Sequence, residues 1–208
     1  MKFDVRDLAR IAVFAAIIAV LGIPGAIPIF GNAVPITAQT LGIMLAGAVL
    51  GAWRGAAAVV VFLLLVLVGL PLLSGGHGGA GVFVGPTAGY LFGWILGAFV
   101  TGAIVHAGRR LTWWRTALGC VVGGILAVYA VGVPVQALVT HLPLGATALS
   151  STVFLPGDAL KAVVATLVTM ALWRAYPRAF GDALRAPARA SAEPAAATVP
   201  DDNPLPRP

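Results

Sequence analysis

Charge is what this chain has least of. Asp, Glu, Lys and Arg make up 10% of its 208 residues while 60% are hydrophobic, and soluble domains carry about 25% charged residues. With a mean hydropathy of +0.99, the composition places the chain in a lipid bilayer. The single cysteine, Cys120, excludes an internal disulfide and leaves the redox compartment unread. The pI is near 10.5, but no basic run alternates with aromatics, which excludes nucleic acid as a partner. No H-E-x-x-H, acidic metal cluster or G-x-x-x-x-G-K-[ST] loop occurs. Neither an enzyme, a metal, a cofactor nor self-contained nucleotide hydrolysis is therefore expected. Asp4 and Asp7 within the N-terminal charged region argue against a cleaved signal peptide.

What is present is six apolar segments, near 8–23, 38–53, 55–73, 86–105, 116–138 and 157–174. The shortest, at about 1.5 Å rise per residue, reach some 24 Å against a hydrocarbon core of about 30 Å. Their flanking loops are expected to enter the bilayer, where irregular backbone survives only against protein or a cavity. Of the 13 Lys and Arg residues, all but Lys161 lie at alternate segment ends: Lys2, Arg6 and Arg10; Arg54; Arg109, Arg110 and Arg115; Arg174, Arg178, Arg185, Arg189 and Arg207. Connections 24–37, 74–85 and 139–156 have none. Lys and Arg favour the cytoplasmic side, so both termini are expected there and the uncharged loops outside. Trp53, Trp113, Trp114 and Trp173 fall at the same inner ends. His77, His106 and His141 are then divided between the two faces, and His77 has no neighbouring metal ligand.

Glycines recur at every fourth position, at 85, 89, 93 and 97, at 47, 51 and 55, and at 119 and 123. Helices in lipid associate through such small-residue stripes. The expectation is an all-α, compact bundle of six transmembrane helices over residues 1–174. A Pro- and Ala-rich cytoplasmic tail, 175–208, is expected to be disordered.

The uncharged loops carry the candidate site. In the first, Pro24, Pro28 and Pro35 forbid regular helix, while Asn32, Thr37, Gln39 and Thr40 bring polar groups to the mouth of the second span. Thr37 reads equally as a helix cap; Gln39, inside an apolar span, needs a partner. The second loop, SGGHGGAGVFVGPT, brings glycines 75, 76, 78 and 79, which suit either a flexible turn or backbone amides close to a ligand. Tyr90 follows one turn into the fourth span, to hydrogen-bond, stack or pack. The third ends in FLPGDALKAVVA, with Asp158 and Lys161 three apart on one helical face. Asp158 alone reads as a cap. Lys161 in a first turn opposes the helix dipole and either snorkels to water or meets a ligand.

VPITAQTLGIMLAGAVLG, GLPLLSGGHGGAGVFVGPTAGYLFGW and FLPGDALKAVVA, in that order, resemble the BioY family over about residues 8–174. These are biotin-binding substrate-specificity (S) components of energy-coupling-factor (ECF) transporters in prokaryotic cell membranes. The resemblance implies a six-helix protein that binds biotin on the outer side and releases it inside. The energy would come from a transmembrane coupling (T) protein and ATPase (A) subunits. It also implies that Asp158 and Lys161 bind polar atoms of biotin, though which end Lys161 meets stays open. Gln39 and Thr37 would belong to a first-loop gate, with Gly75, Gly76, Gly78, Gly79 and Tyr90 in the opposite wall. Small residues of the first helix, Ala12 with Ala16 or Ala15 with Ala19, would dock on the T protein.

Overall fold

The computed structural model describes residues 4–24, 37–108, 110–180 and 184. Lys2, Pro28, Asn32, Pro35, Arg109, Arg185, Arg189, Arg207 and most of the expected tail lie outside them. Asp4 caps α1 (Val5–Val20), its side chain accepting the Val5 N–H at 2.7 Å. Helices α2 (Gln39–Leu50) and α3 (Ala52–Leu67) are separated by Gly51 alone, whose φ of 85° a side chain would strain. α4 (Ala88–Val105) follows a loop that includes a 3₁₀ turn, Ala80–Phe83. α5 is the continuous helix Trp113–Thr140, in which Val122–Ala127 adopt the wider π form, and it ends on left-handed His141. A short α6 (Leu144–Ser151) leads through one 3₁₀ turn into α7 (Leu155–Ala175).

The six expected spans are thus α1 to α5 and α7. The connection 139–156 is not plain loop. Thr147 and Ser151 are buried on one side of α6, and their hydroxyls bond the carbonyls of Pro143 and Thr147. Among the described residues three helical stretches, Ala88–Val105, Trp113–Thr140 and Leu144–Ala175, are long and apolar enough to cross a membrane, and α2 and α3 are shorter. Beyond α3 the chain turns back, Gly79 N–H bonding Val66 O at 2.8 Å, and residues 70–87 cover that end of the bundle.

α4 is central, packed on α2, α3 and α5. Its glycine stripe lies against α5. A methyl group at Gly93 would fall 2.8 Å from Val128 O, and one at Gly97 would fall 2.8 Å from Gly123 O. Backbones approach this closely only because no side chain intervenes. Phe62, Val66, Ile18, Ile43 and Trp94 fill the core, with the Phe62 and Trp94 rings 6.3 Å apart.

At the Arg-rich end, buried Asp7 accepts Arg54 Nε at 2.9 Å, and His106 Nε2 donates to Ala48 O at 2.9 Å. The fold continues past residue 174. A 3₁₀ turn, Pro177–Ala179, brings Phe180 edge-on to Trp173 at 5.1 Å, and Arg10 Nη2 donates to Arg178 O at 2.9 Å. Phe180 and Leu184 are buried among Ile11, Val49 and Leu50. The start of the expected tail is therefore a folded strap, held by the apolar area it covers.

Candidate ligand-binding site

Opposite the Arg-rich end, α2, α4, α5, α7 and the 70–87 loop enclose a cavity of about 330 Å³, within the range of about 300–1,000 Å³ typical of small-molecule sites. Pro156 in the first turn of α7 starts that helix, so Asp158 and Lys161 share its inward face. Lys161 Nζ donates to Asp158 Oδ1 at 2.9 Å and to Thr40 Oγ1 on α2 at 3.0 Å. Tyr129 of α5 donates its hydroxyl to Asp158 Oδ2 at 2.6 Å. The ion pair is largely out of solvent, with side-chain exposures of 15% and 7% for Lys161 and Asp158. Lys161 therefore does not snorkel, and Asp158 is not a helix cap.

The charges cancel, but the polar capacity is not used up. An ammonium has three N–H donors and Lys161 directs two of them at these partners; each carboxylate oxygen has a second lone pair. One donor and two acceptor positions are left for a solute, on one side of a cavity whose apolar walls include Leu91, Trp94, Val128 and Phe154.

The other expected residues sort by geometry. Thr37 borders the cavity and makes no capping bond to α2. Tyr90 borders it with its ring, edge-on to Tyr129 at 6.2 Å, while its hydroxyl donates to Gln136 Oε1 at 2.9 Å and lies 3.2 Å from Ser151 Oγ. Gln39 borders the cavity too, but is wholly buried and bonded to Ile18, Leu72 and Ser74. Gly75, Gly76, Gly78 and Gly79 are not among the lining residues. Three of them have positive φ and shape the turn that presents Leu73, Ser74 and His77 to the cavity. Ala12 and Ala16 are exposed on α1, whereas Ala15 is buried. Among the described residues no cluster of His, Cys, Asp or Glu could hold a metal.

Tyr129 and Gln136 are absent from the sequence expectations. Their signal is the one Gln39 gives: a hydrogen-bonding side chain inside an apolar span must be satisfied within the protein.

The sequence matches the family model of the BioY family over residues 1–178. It is 48% identical over 178 residues to the biotin transporter BioY of Rhizobium etli, covering 83% of this chain and 95% of that one. It is also 48% identical over 185 residues to the biotin transporter BioY of Rhodobacter capsulatus, covering 84% and 96%. A crystal structure of the S-component for biotin from an ECF-type ABC transporter superposes with a TM-score of 0.78 at 35% identity, covering 82% of this chain and 92% of that one.

Proposed function

Because this chain belongs to the BioY family, we propose that it is the biotin-binding S component of an ECF transporter in a prokaryotic cell membrane. It captures biotin outside and releases it to the cytoplasm, with T and A subunits supplying the energy. The observation that carries this reading is the neutral, largely buried Asp158–Lys161 pair, held by Tyr129 and Thr40 at one side of an apolar cavity. Biotin couples an uncharged ureido group, with two N–H donors and one carbonyl, to an apolar bicycle and a chain ending in carboxylate. The ureido group meets the pair: its N–H groups face Asp158 and its carbonyl takes the remaining Lys161 N–H. A ligand carboxylate there would add an unbalanced charge in a dry site, which is costly. The carboxylate therefore points away from the pair, towards the side bordered by Thr37 and His77.

The Arg-rich end, with both termini, faces the cytoplasm; the distribution of Lys and Arg supports this. The exposed Ala12 and Ala16 support docking of the T protein on α1. The test is ligand stabilisation of the detergent-extracted protein. Biotin at a hundred times its Kd raises stability by about 2.7 kcal/mol, seen as a higher Tm that riboflavin and pantothenate do not reproduce. An unchanged Tm together with no calorimetric binding rejects the reading.

A further inference from the structure

Gln39 stands at the cavity edge with 0% of its surface exposed, and every hydrogen-bonding position of its amide is taken. Nε2 donates to Leu72 O at 3.0 Å and to Ile18 O at 3.3 Å; Oε1 accepts the Ser74 N–H at 3.1 Å and the Ser74 hydroxyl at 3.3 Å. A primary amide offers two donors and two acceptor lone pairs, so nothing remains for a solute. Ile18 lies in the last turn of α1, where carbonyls lack intrahelical partners. Gln39, the first residue of α2, therefore caps α1 from outside and grips residues 72–74 with the same side chain. Gly22 completes the joint: a methyl group there would fall 2.7 Å from Leu72 O and 3.0 Å from Gln39 Nε2.

The gripped segment is the cavity wall. Leu73 N–H bonds His77 O at 3.0 Å and the Ser74 carbonyl lies 3.1 Å from His77 Nδ1, so 73–77 is one closed turn. The turn is tied to α1 and α2 at Leu72 and Ser74, through Gln39. We infer that Gln39 is a positioning residue: it sets affinity by seating the 72–77 wall against α1 and α2, and does not touch the ligand. The inference rests on the proposed binding of biotin in this cavity. Without the pin the wall samples unseated positions, and apparent affinity falls by the fraction of molecules in the seated state.

The experiment uses the full chain in detergent, with biotin titrated calorimetrically and amide hydrogen exchange followed with and without it. Gln39→Met keeps the volume and removes all four bonds. The expected result is biotin binding weakened about tenfold or more. Exchange at Leu72 to His77 accelerates in the free protein, amides of α4 and α7 stay protected, and saturating biotin restores the loop. Weakened binding with unchanged loop exchange means that Gln39 acts on the ligand directly and overturns the inference, as does unchanged binding. If Gln39→Met does not fold, Ser74→Ala removes only the hydroxyl bond, and the same pattern at smaller amplitude is required. Failure of wild-type protein to bind biotin rejects the functional reading instead, while accelerated exchange in ligand-free Gln39→Met still reports the pin.

Discussion

Tyr129 and Asp158 are joined across the cavity by a 2.6 Å hydrogen bond from the α5 phenol to the α7 carboxylate. The bond holds Asp158 Oδ2 on the side of the carboxylate away from Lys161, which takes Oδ1 at 2.9 Å. Tyr129→Phe frees the carboxylate to turn, and a hydrogen bond to a charged group contributes about 1.5–3 kcal/mol. Biotin affinity is expected to fall about tenfold or more by calorimetry. The Tm of the free protein should fall by only a few degrees, because Lys161 still neutralises the charge.

Removing one partner of the buried pair costs more than removing both. Asp158→Asn strands the Lys161 ammonium in an apolar cavity, which destabilises by about 3–5 kcal/mol. Adding Lys161→Met removes the stranded charge. The double variant should melt above the single Asp158→Asn variant, and neither should bind biotin. A double variant less stable than the single one would show that the charges are not coupled as the geometry requires.

The orientation of the ligand has its own test. If Lys161 meets the ureido carbonyl, Lys161→Ala lowers affinity for biotin and for biotin methyl ester by the same factor. If it meets the carboxylate, the loss is large for biotin and small for the ester. Competition binding with both ligands gives the ratio, which is expected to be close to one.

The α4–α5 contact tolerates no side chain. In Gly97→Val the new Cβ would meet Gly123 O at 2.8 Å and Val128 Cγ2 at 2.7 Å, so helices must separate at a cost of about 1–3 kcal/mol. A lower Tm and reduced extraction yield are expected. Gly145→Ala, where a Cβ meets nothing within 4 Å, should leave both unchanged.

Acid weakens the Arg-rich end through His106. Burial pushes this imidazole below its ordinary value of 6.5; the Ala48 carbonyl opposes that shift and Arg54 adds to it. The unfolded chain therefore binds the proton more readily than the folded one, and stability falls as pH drops below 6.5. Tm should be level above that pH and decline below it. The slope should be shallower in His106→Gln, whose amide still donates to Ala48.

How much of this is legible in the sequence follows from the kind of interaction. The glycines at 89, 93 and 97 announce the α4–α5 contact because a stripe repeats at helical spacing and lipid supplies no other reason for it. Asp158 and Lys161 are legible because two charges within a span are costly without partners. For Gln39, the need for a partner is visible, but its partners, mostly backbone groups, lie 21 to 35 residues away, which no local pattern encodes. The glycines at 75–79 suggest backbone amides near a ligand, yet they bend the turn and leave the cavity wall to Leu73, Ser74 and His77. α6 hides because eight residues containing two serines and a threonine carry little apolar periodicity. Tyr129 hides for a geometric reason: the π turn just before it breaks the α rhythm by which a face is assigned.

That same turn acts as an index mark for everything that follows it. A π turn holds one residue more than an α turn, so deleting a single amino acid from Val122–Ala127 would restore an ordinary winding and leave the remainder of α5 on its present bearing. A further residue inserted there would instead swing that remainder by about 100°. After such an insertion Tyr129 and Gln136 would both leave their present bearings, though neither had been altered. The pocket's chemistry is therefore keyed to a length, and an insertion there would disarm it without changing any residue that lines it.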